Sequence, residues 1–336
     1  MSDSNEHAAA LAVAGLHHAW FTGLVLALVA HRGAAVAEEF VFRLFRHQHT
    51  QRFLPGLVKL GLDRLPHAVA AARYHYFSNQ LGGVAVEYLE VDARKAWVRY
   101  PPPRWIWSGT AICAIPSEVN RAMLRGWHAH NGVTLGNPRL GFVCTGTTVD
   151  GNPGLEGYYR EYDHALEPAE RLRFVADERC PPIDRTSMPQ LEQRSWPALR
   201  QAKAYRNYAM EYVRNALPLL LELLGSEDAR ELGCRAGRLV GMQCYADIAG
   251  QLGVRGDDPA AFAGLFADLL EAAGDSVVRD GNTVNRSAPR LFADSALTPA
   301  LRDLSLAPYA GLLAAHNRFL VLEEHPPSRF SITPAR

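Results

Sequence analysis

The sequence predicts a helix-rich α+β protein of two domains, each built from helices and a short antiparallel sheet. Three observations lead there. The chain has 336 residues, beyond the size at which a single core keeps growing. It is 48% hydrophobic and 21% charged, too apolar for a chain that stays unfolded. Long runs rich in Ala, Leu and Val alternate with short β-branched and aromatic runs in both halves, the two periodicities of helix and strand.

The elements follow in order. Residues 7–31 contain no Asp, Glu, Lys or Arg, the composition of a membrane span. The preceding MSDSNE is acidic, opposite to a signal peptide. His17 and His18 sit mid-run, where a polar pair is costly in lipid and easily satisfied in a protein core. The run therefore reads as a buried helix. Helical pattern continues to Gly82, punctuated at Gly33, near Thr50 and Pro55, and at Pro66. Residues 84–91 and 95–100 read as a hairpin, closed by Pro101-Pro102-Pro103. A helix capped by Ser117 should run to His130 and stop at Asn131-Gly132.

Strands at 140–148, 158–162 and 172–176 should complete the first domain, residues 1–180. Residues 181–197 carry several prolines and read as a linker. The second domain, 198–336, should hold three helices, with Pro218 inside the first, then strands at 276–284 and 319–323 around a helix ending at His316-Asn317. An internal repeat is suggested by six identities. Val98, Pro103, Arg104, Ala129, His130 and Asn131 match Val284, Pro289, Arg290, Ala315, His316 and Asn317 at a constant offset of 186.

Thirty-five basic residues balance 35 acidic ones, which argues against a protein that binds nucleic acid through a broad basic face. Five scattered cysteines, none spaced CxxC, suggest neither a disulfide framework nor a thiolate zinc site, and reduced thiols fit the cytoplasm. No P-loop, GxGxxG, HExxH or GxSxG occurs. A small-molecule ligand is the expected partner, without nucleic acid or membrane, and the apolar first helix suggests a homo-oligomer.

Three groups could carry chemistry. Tyr74-His75-Tyr76-Phe77-Ser78-Asn79 places phenols, an imidazole and a carboxamide at a helix end. The histidines and carboxamide of Trp127-His128-Ala129-His130-Asn131 lie at another; on a continuous helix His128 and His130 would face apart, so at most one enters a pocket. In the third group, Cys144 precedes the Tyr158-to-His164 run, where Glu161 and Asp163 would share a strand face. Cys144 becomes a nucleophile only beside His75, His128 or His130. Arg99 and Arg104, beside Trp97, Trp105 and Trp107, would anchor a carboxylate or planar ligand. His47 and His49 would point roughly 200° apart on a helix, leaving Glu39, Arg43 and His47 as a solvated ladder.

The lead-in to Tyr74-His75-Tyr76-Phe77, the Glu87-to-Arg99 hairpin, and Cys144 before Gly157-Tyr158-Tyr159-Arg160-Glu161 resemble the L-2-amino-thiazoline-4-carboxylic acid hydrolase-like family, over the stretch from Met1 to Cys180. The resemblance implies a cytoplasmic bacterial protein of helices and short strands. That family's arginine-cysteine-proline step after the hairpin is Arg99-Tyr-Pro-Pro-Pro-Arg104 here, and the only such triplet is Arg179-Cys180-Pro181.

The expected function is thus hydrolysis of a C–N bond in a small carboxylate-bearing or cyclic substrate. His75, His130, Cys144 and Asp163 would be catalytic, and Tyr74, Tyr76, Asn79, Arg99, Arg104, Trp127 and Asn131 would bind substrate. A divalent metal, held by His128 and Glu161, is the cofactor this pattern admits. Alternatives are a non-catalytic binding protein with an aromatic pocket and a His/carboxylate metal oxygenase.

Overall fold

The uncharged N-terminal run folds as the first helix, α1 (Asp3–Arg32), in a computed structural model that describes residues 3–102, 108–191, 195–292, 297–325 and 328–335. The chain divides into two units. Leu28–Ser195 form a central unit, and Met1–Ala27 join Trp196–Arg336 in a C-terminal unit. Met1–Ala27 therefore lie outside the domain that sequence order assigns to them. Side-chain contacts within that unit decide this. Phe21 packs against Tyr212 with tilted rings at 5.1 Å, His18 Nδ1 meets the Tyr205 hydroxyl at 3.2 Å, and Lys203 pairs with Glu6 at 2.6 Å. Ser4–Arg32 is long and apolar enough to cross a membrane, yet 67% of its most apolar window is buried inside the protein.

In the central unit, α2 (Ala34–Lys59) and α3 (His67–Leu81) precede the hairpin β1 (Glu87–Asp92) and β2 (Lys95–Tyr100). Pro55 does not interrupt α2, which continues through it to Lys59. Next come α4 (Ser117–Gly126), α5 (Asn131–Thr134), β3 (Leu140–Gly146), β4 (Leu155–Glu161) and β5 (Leu172–Phe174). The sheet order is β1-β2-β4-β3-β5. It is mixed rather than antiparallel throughout, because β5 lies parallel to β3.

The sheet has two faces, read from its register. Ala96 opposes Tyr159 on one face, while Trp97 opposes Tyr158 and Arg99 opposes Glu156 on the other. On the second face Val175 and Cys180 pack on Trp97, Val143 and Tyr158. Glu178 accepts the Tyr158 hydroxyl at 3.0 Å, and Arg185 donates to the buried Glu87 at 2.6 and 2.9 Å. The proline-rich stretch expected to be a linker therefore covers the sheet up to Met188, whose sulfur accepts the Tyr88 N–H. An apolar sheet face needs such a cover.

The C-terminal unit contains α6 (Ala198–Leu224), α7 (Ser226–Gln251), α8 (Pro259–Ala273), β6 (Ser276–Asp280), β7 (Thr283–Ser287), α9 (Pro299–His316), β8 (Leu320–His325) and β9 (Arg329–Pro334). The last strand was not anticipated. Its sheet order, β6-β7-β9-β8, repeats β1-β2-β4-β3. Corresponding backbone bonds recur as well. Leu60 N to Gly56 O, Gly61 N to Val58 O and Leu62 N to Leu57 O reappear in the second unit as Leu252 to Ile248, Gly253 to Gly250 and Val254 to Ala249. Gly33 and Gly225, at φ 85° and 79°, make the same positive-φ step between long helices.

The spacing between matched positions does not stay constant. Leu140 N bonds to Asn137 O, and Leu320 N to Asn317 O, a pair of turns closer together along the chain than the helix ends just matched. Asn317 thus plays the part of Asn137, and the gapless match of Asn131 with Asn317 is not the structural one. The two stretches also differ in continuity: α9 runs unbroken for 18 residues, whereas its counterpart breaks after Gly126.

Candidate functional site

The break after α4 builds the site. Gly126 lies so close to α2 that a Cβ would stand 2.8 Å from the Phe42 carbonyl oxygen. Arg46 fixes the contact, its Nε and Nη2 donating to Gly126 O at 2.8 Å and Arg125 O at 2.9 Å, a cation on a helix C-terminus. Trp127 leaves helical geometry at φ −104°, ψ −68°, and His128–His130 form one 3-10 turn before α5. The helix expected to reach His130 ends early, and the stop expected at Asn131-Gly132 is instead the start of α5. Ser117 does not cap α4. Pro116 holds that position, and the Ser117 hydroxyl binds the Asp150 carboxylate.

Because of the tighter turn, both His128 and His130 reach one cluster. His128 stacks on His75 from α3, centroids 4.1 Å apart at 14°, and His130 meets His49 from α2 edge-on at 5.2 Å. Asn131, wholly buried, ties the cluster together. His49 Nε2 lies 2.9 Å from its Oδ1. Its Nδ2 donates to the Tyr159 hydroxyl at 2.9 Å and stands 3.3 Å from His75 Nε2. Tyr159 OH lies 2.7 Å from His128 Nδ1. Phe53, Phe142, Tyr74 and Trp127 surround this chain of polar groups.

Burial keeps His49 and Tyr159 uncharged. It pushes the His49 imidazole down to about 3, helped by neighbouring His130, and it lifts the Tyr159 phenol well above its ordinary value. His130 is half-buried, and its proton affinity is lowered first by burial, then by Arg46 and Arg171. A base that stays neutral and a phenol that stays protonated can pass protons without building charge in the core.

The remaining sequence candidates are elsewhere. The Cys144 sulfhydryl faces the Gly146 carbonyl at 3.5 Å, with no imidazole bonded to it among the described residues, and burial raises it to about 12. That is packing, not an activated nucleophile. Arg99 lies on the opposite sheet face and is held by Glu87 at 2.8 Å and Glu156 at 3.9 Å. Glu161 ends β4 and binds Arg139 and Asn137. Asp163 falls beyond the strand, exposed, on Arg94 at 2.7 Å. The carboxylate pair expected on one strand face is therefore two separate ion pairs.

Asn79 donates to the His75 carbonyl at 2.8 Å, within its own helix, and Tyr76 packs on Tyr88 at 5.7 Å. Arg104 lies outside the described residues. No group of three or more His, Cys, Asp or Glu side chains is arranged for a metal among the described residues. His128, assigned as a ligand with Glu161, instead bonds Tyr159.

Sequence reasoning missed two members. His49 was judged only against His47, yet its burial opposite an exposed His47 follows from the helical turn between them. Tyr159 was readable from alternation, which sends it to the face opposite Tyr158. No protein-family model, curated protein or solved structure matches the chain.

Proposed function

We propose that this chain is a small-molecule hydrolase, cleaving a C–N bond of a small carboxylate-bearing or cyclic substrate, with imidazoles rather than a thiol as its acid–base groups. The observation that carries the reading is the continuous bonded path His49–Asn131–Tyr159–His128, lying against half-buried His130. In this reading His130 takes a proton from an attacking water and returns it to the leaving nitrogen. Arg46 and Arg171, the charged groups that act on His130, balance the substrate carboxylate. Cytoplasmic location, a homo-oligomer and the absence of nucleic-acid or membrane partners belong to the same proposal. So does descent of the two units from one duplicated segment, supported by their shared strand order.

The isolation of Cys144 from the imidazoles favours a second reading, a binding protein without turnover. One experiment separates the two. A panel of small cyclic amides and amidines bearing a carboxylate is assayed for amine release. The hydrolase reading expects turnover that falls about 10²- to 10⁴-fold in His130→Ala and survives in Cys144→Ala, both variants keeping the wild-type circular dichroism. Undiminished turnover in His130→Ala, or binding without turnover across the panel, overturns it.

A further inference from the structure

We infer that the corner between His49 and Trp127 is a subsite for a ligand edge presenting a hydrogen-bond donor beside an acceptor, the cis-amide being the simplest such group. The inference rests on the central cluster being the functional site. His49 is wholly buried, and its Nε2 is used by Asn131 Oδ1 at 2.9 Å. With the Asn131 amide assigned so that Nδ2 faces Tyr159 and His75, Nε2 carries the ring proton and Nδ1 keeps its lone pair.

That lone pair is buried and meets no donor among the described residues. The Trp127 Nε1–H is also buried and meets no acceptor among them. The two rings meet edge to face, their centroids 5.5 Å apart at 88°, so the two orphaned atoms belong to rings in direct contact. Buried polar atoms without partners oppose folding and are rare. Two of opposite sense, on rings in contact, describe the complement of what should sit there.

The chemistry narrows the ligand. A carboxylate would supply an acceptor for Trp127 but no donor for His49, and an ammonium would do the reverse. A cis-amide offers C=O and N–H on one planar edge and satisfies both. His49 suits this part because burial keeps its lone pair open at neutral pH.

The test follows equilibrium binding in the full ¹⁵N-labelled chain. The Trp127 indole N–H signal, assigned with Trp127→Phe, is recorded during titration with 2-pyrrolidinone, cyclopentanone and N-methyl-2-pyrrolidinone. 2-Pyrrolidinone should move that signal and bind at least about tenfold tighter than the two analogues that lack its N–H, since each leaves the His49 lone pair unpaired. Equal affinity for all three overturns the subsite. So does an unmoved indole signal up to about 100 mM probe, the range expected of so small a fragment. Because no turnover is read, a bound probe with an inactive protein counts against hydrolysis alone, and turnover with an unmoved indole counts against the subsite alone.

Discussion

Asn131 makes three of the contacts that order the imidazoles, to His49, Tyr159 and His75. Tyr159 is its counterpart from the sheet, taking a bond from Asn131 and facing His128 at 2.7 Å. Replacing that phenol with Tyr159→Phe keeps the ring and removes a bonding partner from both buried neighbours. Buried polar atoms so deprived cost about 1–3 kcal/mol each, so urea denaturation should show a loss of that order with an unchanged m-value. A loss below about 0.5 kcal/mol, the scatter of ordinary surface substitutions, would show that the network does not hold the fold.

At the scale of elements, close helix contacts recur where the sequence places glycine. In the C-terminal unit α7 presents Gly237 and Gly241 to Ala307 and Pro308 of α9. A Cβ on Gly241 would stand 2.0 Å from the Pro308 oxygen and 2.8 Å from the Leu312 nitrogen, both backbone atoms that cannot swing aside. Gly241→Ala should therefore lower stability by about 1–3 kcal/mol or more through overpacking, seen as a lower Tm. Gly250→Ala, on the same helix with nothing within 4 Å, should be neutral or gain up to about 1 kcal/mol from helix propensity. If both variants melt alike, close packing is not what those glycines serve.

The helices and the first hairpin were readable because their signals are local. Apolar spacing, Gly33 and the turn at Asp92 act within a few positions. Breaks that depend on a distant partner were not readable. The helix end at Gly126 follows from pressure against α2 and from Arg46 capping, and Arg46 stands 80 residues away. The proline-rich cover looked like a linker for the same reason, since its anchor on Glu87 is 98 residues distant.

Across the whole molecule, buried neutral histidines link stability to pH. Burial lowers His17 in the C-terminal unit to about 4 and His49 in the central unit to about 3, against 6.5 for the exposed group. Between those values the unfolded chain binds protons that the folded chain refuses, so stability falls as pH falls. The loss should start near pH 6.5, above the carboxylate range, and continue to about pH 4. Denaturation midpoints measured from about pH 7.5 to about pH 5 should decline over this window; a flat profile would mean these imidazoles are not held neutral by burial.

By itself, the sequence determined the α+β class, most elements and the fact that histidines crowd the stretch from His17 to His164. Local propensity and periodicity suffice for that. Only the tertiary structure decided which histidines meet, that Arg99 and Cys144 stand apart from them, and that Met1–Ala27 join the C-terminal unit. Periodicity tells which face of an element a side chain occupies, but the packing of elements far apart in sequence selects what that face meets.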